Sequence, residues 1–201
     1  MNTLLYKGDF GRAVTQLLQR KDPSIRAESL DDATFLDRVQ PSDTIGVVLS
    51  SPDLRALQRI GAQLDGVQWS AAFPIGCSVM ITPVFEPGRP CIKCFCKRWL
   101  SLPPSSLSPE SAAALCYHAS VETTFEFRAY HPMGISAVAT MLRLQLANQS
   151  AKSIVLDTSN MIVQSSNLLP VHGCDCRGHR STPVSGARFV CFKEEISQWL
   201  T

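Results

Sequence analysis

The sequence predicts an α/β fold in which a mostly parallel sheet carries helices on both faces. The clearest strand lies at residues 44–49 (TIGVVL), which are short, β-branched and without polar alternation, as in a strand buried on both faces. Segments with the apolar spacing of a helix precede it at 13–18 and follow it at 53–64. Strands that alternate with helices indicate a parallel sheet with right-handed crossovers.

The remaining elements of the first half follow the same alternation. Ser51, Pro52 and Asp53 predict the start of the helix after the central strand, because they supply capping side chains and a proline suited to the first turn. The strands are expected at residues 3–6, 25–27, 44–49 and 68–73. The helices are expected at residues 13–18, 32–39 and 53–64.

The character of the sequence changes after Pro74. We predict a Rossmann-like half over residues 1–85 and a second lobe over 86–201 that completes a single compact domain. The second lobe is rich in loops at 101–109, where proline and serine dominate. The other expected elements are an extended strand at 77–85, a long helix at 131–148, a hairpin of 154–156 with 161–164, and a C-terminal segment at 187–200 that packs back onto the domain.

Composition excludes several classes of protein. The 201 residues are 45% hydrophobic and 18% charged, as in a globular domain with a substantial core. The net charge of +2 is too small to indicate nucleic acid or an anionic membrane as the main partner. The sequence has neither an apolar run long enough to span a bilayer nor a signal peptide at its start. We therefore predict a cytoplasmic protein.

Eight cysteines need an explanation in a cytoplasmic chain, because disulfides do not persist there. Zinc prefers four ligands in a tetrahedron, and a C-x2-C pair such as Cys91 and Cys94 offers two thiolates on one side. Cys174 and Cys176 form the other close pair. The sequence therefore predicts one structural Zn²⁺ held by these four residues, which clips the C-terminal lobe to the rest. Four thiolates would leave no open position for a catalytic water.

Other ligand sets remain open at this stage. Cys96 could replace Cys94, because C-x-C pairs also bind metals, and His172 or His179 could replace a cysteine of the second pair. Buried thiols without a metal are the alternative to any site. Three isolated cysteines in apolar sequence are expected to be small buried hydrophobes: Cys77, Cys116 and Cys191. Two histidines without a neighbouring nucleophile motif are interpreted as structural: His118 and His131.

A glycine-containing loop lies where a nucleotide-binding loop would lie, between the first strand and the first helix. Phosphate loops use glycines so that backbone amides can approach the phosphate at a helix N-terminus. Here only Gly8 and Gly11 are present, and Asp9 adds a negative charge where phosphate would bind. Glu28 is available as a ribose ligand. We interpret the loop as a tight strand-to-helix turn.

The two cysteine segments are the most specific features of the sequence. Residues 84–94 (VFEPGRPCIKC), followed by Arg98, and residues 170–176 (PVHGCDC) resemble the ThiF-like, or ubiquitin-activating-enzyme-like, proteins. The branch that they resemble most is the subunit of azoline-forming cyclodehydratases, as in thiazole/oxazole-modified microcin biosynthesis. The resemblance extends over roughly residues 3–180 and places the two zinc pairs in these segments.

This resemblance implies a non-catalytic, zinc-binding scaffold or activating subunit. Its partner would be a YcaO-type enzyme that uses ATP to activate a backbone amide after attack by a Cys, Ser or Thr side chain of a ribosomal precursor peptide. Because the chain starts directly at the sheet, without the winged-helix module of such proteins, leader binding is expected from a separate subunit, as is any dehydrogenase activity. From the apolar residues of the long helix we expect a homodimer or a hetero-oligomer.

Two other functions are compatible with these features. One is an ATP-dependent adenylating enzyme of the ThiF type acting on a peptide or small-protein carboxylate, and the other is a zinc-clipped interaction protein without an enzymatic partner. The long helix bears on the question of partners, because its apolar residues lie on more than one face and predict either deep burial or contact with another subunit. These residues are Met133, Ile135, Ala137, Val138, Leu142 and Leu144.

Overall fold

A mixed sheet of seven strands forms the centre of the part of the chain that this computed structural model describes, namely residues 1–32, 39–40, 42–101, 132–171, 174 and 176. The strands are β1 (Thr3–Lys7), β2 (Arg26–Ser29), β3 (Thr44–Leu49), β4 (Gln68–Ile75), β5 (Ser78–Ile81), β6 (Lys152–Asp157) and β7 (Val163–Asn167). The helices are α1 (Gly8–Lys21), α2 (Leu54–Gln63), α3 (Ile92–Ser101) and α4 (Pro132–Ala147). The predicted α/β fold is confirmed.

The direction of the strands divides the sheet into two halves. Its order is β2-β1-β3-β4-β5-β6-β7, and the first three neighbouring pairs are parallel. The pairs β4-β5, β5-β6 and β6-β7 are antiparallel, so the prediction of a mostly parallel sheet is only partly right. The reason is the short turn at Gly76 and Cys77, which joins β4 to β5 without room for a crossover helix. The predicted hairpin of β6 and β7 is confirmed.

Helices cover both faces of the sheet, as the sequence predicts. Successive residues of a strand point to opposite faces, and Leu4 and Leu5 of β1 accordingly belong to different core clusters. The helices α2 and α3 pack with the cluster that contains Leu5, whereas α1 and α4 pack with the cluster that contains Leu4. The carboxylate of Asp53 accepts the Ala56 N–H at 2.8 Å and so provides the predicted N-cap of α2.

The long helix is observed close to its predicted bounds and is largely buried within the chain. Val138, Leu142 and Leu146 are fully buried, and Ile135 packs partly against the same cluster. Two of its large apolar side chains are exposed: Met133 and Leu144. Burial against the sheet and α1 therefore accounts for most of its apolar residues. Within the described ranges, none of the helices is long and apolar enough to cross a membrane.

Some sequence predictions differ from the structure or lie outside its described part. Cys77 is exposed in the β4-β5 turn, so the prediction that it is buried is wrong. The strand expected at 77–85 is shorter, because only Ser78–Ile81 pairs continuously and Phe85 forms a single bridge with Trp69. The predictions that fall mostly or wholly on residues outside the described ranges are those for 32–39, 101–109 and 187–200, Cys116, Cys191, His118, His131, His172 and His179.

The contact of α1 with β3 depends on a residue without a side chain. A Cβ added at Gly11 would lie 2.6 Å from the Val48 carbonyl oxygen, which is closer than van der Waals contact allows. Replacing Gly11 by alanine should gain about 1 kcal/mol of helix propensity. We expect overpacking of about 1–3 kcal/mol to outweigh this gain, so that Gly11→Ala lowers the free energy of unfolding in urea.

The neighbouring exposed residue provides a matched control for this substitution. Arg12 lies on the solvent side of the same helix, and Arg12→Ala should change the free energy of unfolding by no more than about 0.5 kcal/mol. A Gly11→Ala variant as stable as the parent would show that α1 can move away from β3 without loss.

Candidate metal centre

The first pair of cysteines lies at the start of the helix α3. Cys91 directly precedes α3, and Cys94 lies in its first turn and is fully buried. Residues three apart in a helix share one face, so the two sulfurs lie 3.9 Å apart. The turn before them is fixed by an ion pair between Arg89 and Glu86, and Arg89 also donates to the Gln149 carbonyl.

The second pair is carried by the segment that follows β7. Arg98 on α3 donates from Nε to the Leu169 carbonyl oxygen at 2.6 Å and from its terminal nitrogen to the Pro170 carbonyl oxygen at 3.2 Å. The Val171 N–H donates to the Cys94 sulfur at 3.3 Å. These contacts hold the segment against α3 and bring Cys174 to the sulfurs of the first pair.

The four predicted cysteines form one cluster. Their sulfurs all lie within 4.8 Å of one another, with Cys91 and Cys174 at 3.5 Å and Cys94 and Cys176 at 3.5 Å. A tetrahedral zinc ion with Zn–S bonds of about 2.3 Å requires sulfurs about 3.8 Å apart. The separations therefore fit a four-thiolate zinc site. Among the described residues, these four cysteines are the one group of three or more His, Cys, Asp or Glu side chains whose ligand atoms lie close enough together to hold a metal ion.

Backbone amides are directed at the sulfurs. The Val171 amide donates to the Cys94 sulfur, and the amides of Cys94 and Cys176 face the sulfurs of Cys91 and Cys174, where each favours the thiolate form. The amide of Cys91 reaches the Cys176 sulfur. Such donors stabilise the negative charge that four thiolates carry in a metal site. Backbone amides thus face sulfurs that would carry negative charge in a metal site.

The thiols of the cluster differ in acidity. Hydrogen bonding from the Cys176 amide lowers the pKa of Cys174 to about 7, which favours the thiolate form of this residue. Burial raises the pKa of Cys91 and of Cys176. A bound cation would favour the thiolate form at every ligand, because metal binding releases protons.

Cys96 does not belong to the cluster. It is buried in the core on the α2 side of the sheet, and burial raises its pKa to about 11 despite a hydrogen bond with Gln58. A thiol in that state is a poor metal ligand at neutral pH. The alternative in which Cys96 replaces Cys94 is therefore not supported by the geometry, and the alternatives with His172 or His179 fall on residues outside the described part.

A cleft opens beside the cluster. Its volume is about 720 Å³, and Cys91, Cys174, Lys93, Arg89 and Asp65 are among the residues that line it. The cleft connects the cluster with the surface, as a metal site requires for entry of the ion. Its walls carry charges of both signs.

In the glycine-containing loop at Gly8 and Gly11, the backbone amides are bound by groups of the chain itself. The Ser50 hydroxyl accepts the N–H groups of Phe10 at 3.0 Å and Gly11 at 3.4 Å, and it donates to the Lys7 carbonyl at 3.0 Å. An ion pair of 3.7 Å joins Lys7 to Asp53 beside it. Two amides that would face a phosphate are thus already engaged. Sequence reasoning missed Ser50, although its position directly after the clearest strand was a usable signal.

Comparisons with known proteins place this arrangement in context. No family model matches the sequence, and no curated protein matches it either. A chain of the E. coli Microcin synthetase McbBCD complex matches the fold with a TM-score of 0.64 and 16% identity, over 87% of this chain and 67% of that chain. A heterocyclase in complex with substrate and cofactor matches with a TM-score of 0.54 and 18% identity. E. coli MccB matches with a TM-score of 0.52 and 12% identity.

The chain spans only part of the length of two of these proteins. The chain covers 24% of the heterocyclase chain and 65% of the MccB chain, while 84% and 89% of its own residues are matched. At such low identities the likeness concerns the fold. The chain therefore has the fold shared by a microcin synthetase subunit, a heterocyclase and MccB, in agreement with the ThiF-like cyclodehydratase resemblance of its two cysteine segments.

Proposed function

We propose that the chain is the zinc-binding, non-catalytic ThiF-like subunit of a cyclodehydratase complex that forms thiazoline or oxazoline rings in a ribosomal precursor peptide. The observation that carries the proposal is a four-cysteine cluster, formed by the two segments that resemble this branch, on a fold shared with a microcin synthetase chain. The fold shared with a heterocyclase adds support. The cytoplasmic location and the division at residue 85 remain predictions.

In this proposal, zinc is structural. Cys91, Cys94, Cys174 and Cys176 would hold it, and the bound ion would supply a cross-link between α3 and the segment after β7. The two arms are 83 residues apart at Cys91 and Cys174. Closing a loop of that length costs chain entropy that metal binding offsets. The adjacent contacts of Arg98 position the second arm for closure.

The proposed partner is a YcaO-type enzyme that performs the ATP-dependent chemistry. The precursor peptide would reach that enzyme with the help of this subunit. Ring formation by the YcaO-type enzyme, with and without this chain, tests the proposal directly. A zinc-clipped interaction protein without an enzymatic partner is the simplest alternative, and the absence of a YcaO-type gene beside its own gene would favour it.

A second candidate function, adenylation of a carboxylate, makes a different prediction about ATP. Because Ser50 already binds the amides at the start of α1 and Asp9 adds a negative charge there, we expect the isolated chain neither to bind ATP tightly nor to hydrolyse it. Isothermal titration calorimetry with Mg-ATP should show no heat of binding at micromolar concentrations, with the YcaO-type enzyme as the positive control. Micromolar affinity, or exchange of pyrophosphate into ATP, would instead favour the adenylating enzyme.

A further inference from the structure

The four sulfurs of the cluster are not equally accessible. The first arm carries Cys91 and Cys94 on α3, and the second arm carries Cys174 and Cys176 after β7. Cys91, Cys174 and Cys176 line the cleft of about 720 Å³ and are half-buried. Cys94 does not line the cleft and is fully buried. A small reagent that enters the cleft therefore meets three of the sulfurs, whereas the fourth is shielded by the protein.

Of the sulfurs that line the cleft, those of Cys91 and Cys174 are suited to react with one another. They lie 3.5 Å apart, which is closer than the 3.9 Å between Cys91 and Cys94 within the first arm. Cys94 and Cys176 are also 3.5 Å apart, but the burial of Cys94 keeps a reagent from that pair. Redox-sensitive cysteines are accessible to solvent and lie beside a second cysteine that can resolve them. The pair of Cys91 and Cys174 meets both conditions.

The hydrogen bonds that position the second arm do not involve a metal ion. Arg98 of α3 donates to the carbonyl oxygens of Leu169 and Pro170. The Cys174 N–H donates to the Val171 carbonyl oxygen at 3.2 Å, so the chain turns back towards the cluster at this point. These bonds would keep Cys174 beside the first arm while its bond to a metal ion is being broken.

We propose that Cys91 and Cys174 form a redox-sensitive pair, which a hydroperoxide converts to a disulfide with release of the zinc ion. The disulfide would then replace the ion as the cross-link between α3 and the segment after β7. The inference rests on the zinc assignment within the proposed function and is independent of ring formation. In a reducing compartment, such as the predicted cytoplasm, the pair stays in its thiolate form until an oxidant reaches the cleft.

The reaction takes two steps and uses one hydroperoxide. In the first step, the Cys174 thiolate attacks the peroxide, the O–O bond breaks, and a sulfenic acid forms as hydroxide leaves. In the second step, the Cys91 thiolate attacks the Cys174 sulfur, the S–S bond forms, and a second hydroxide leaves. Two electrons pass from the two sulfurs to the peroxide, and two protons from solvent convert the hydroxides to water. Only Cys94 and Cys176 remain as thiolates, which is too few to hold a structural zinc ion.

The disulfide has a consequence that distinguishes it from damage to the site. It joins residues 83 positions apart, and a cross-link that closes a long loop limits the conformations of the unfolded chain. The oxidised, zinc-free chain should therefore stay folded. Loss of zinc without a disulfide removes both cross-links, and the chain should then unfold.

Three measurements on the zinc-loaded full chain test the proposal after addition of a small molar excess of hydrogen peroxide. A chromogenic chelator should detect release of one zinc ion per chain. Mass spectrometry of peptides prepared without reductant should show Cys91 joined to Cys174. Far-ultraviolet circular dichroism should keep its signal, whereas the same protein stripped of zinc by a chelator in the presence of dithiothreitol should lose it. Dithiothreitol and zinc together should restore the metal content of the oxidised protein.

Two cysteines outside the cluster provide the matched controls. Cys77 is exposed in the β4-β5 turn and Cys96 is buried in the core, so Cys77→Ser and Cys96→Ala should release zinc at the parental rate. Retention of zinc under peroxide would overturn the proposal, as would a Cys91–Cys94 disulfide, sulfinic acids without a disulfide, or unfolding on oxidation. Purified protein without zinc would remove the zinc assignment in the proposed function as well, whereas zinc-loaded protein that resists peroxide overturns this inference alone.

Discussion

Cys174→Ser is expected to release the metal and to leave the protein unfolded or insoluble. The binding energy of a structural zinc ion is part of the folding energy and amounts to roughly 10–16 kcal/mol in small zinc domains. A domain of ordinary stability has only about 5–15 kcal/mol in total. Loss of one ligand should therefore remove most of the free energy of unfolding. Cys91→Ser should act in the same way, because the two sulfurs lie on opposite arms of the cluster.

Metal analysis of freshly purified protein, together with circular dichroism, measures this effect. The parent should contain one zinc ion per chain. Cys96→Ala is the matched control from the same helix. This variant should keep the zinc, because the Cys96 side chain lies in the core rather than in the cluster. Its free energy of unfolding should fall by about 1 kcal/mol. Cys77→Ser, at an exposed turn, should change neither metal content nor stability. Parent protein without zinc would contradict the assignment, as would loss of zinc in Cys96→Ala but not in Cys94→Ala.

The parallel half of the fold could be predicted because its signals are local. A β-branched run such as Thr44–Leu49 is a strand buried on both faces, and the capping residue Asp53 marks the start of α2 within the same stretch of sequence. Of the antiparallel half, the β6-β7 hairpin was predicted, but the pairing of β5 was not. The strand β5 pairs with β6, which begins more than seventy residues later, and the local pattern of either strand does not specify its partner.

The candidate site shows the same contrast. The spacing of four cysteines in two close pairs predicted which sulfurs come together, because few other combinations of residues supply four ligands to one tetrahedral metal ion. The groups that position them are mostly backbone atoms, such as the Val171 amide and the carbonyls that accept from Arg98, and residue identity does not encode these. Cys77 was mispredicted because the apolar sequence around it suggested burial. The turn that exposes it depends on Gly76, which has a φ of 59°.

If the proposed function is right, ring formation should require both this chain and the YcaO-type enzyme. A subunit that positions the precursor peptide and activates its partner contributes through orientation, and misplacement of a substrate by about 1 Å can cost on the order of a hundredfold in rate. Omission of the chain should therefore lower the rate of ring formation by at least about this factor. The chain mixed with ATP and precursor peptide, but without the YcaO-type enzyme, should form no ring, because the amides at the start of α1 are bound by Ser50.

Mass spectrometry of the precursor peptide, after incubation with the YcaO-type enzyme and ATP in the presence and absence of this chain, measures whether the chain is needed for ring formation. Each azoline ring removes one molecule of water, which gives a mass change that can be counted. The account predicts loss of water from the peptide at an appreciable rate only when both proteins are present, and full-rate ring formation by the YcaO-type enzyme alone would contradict it.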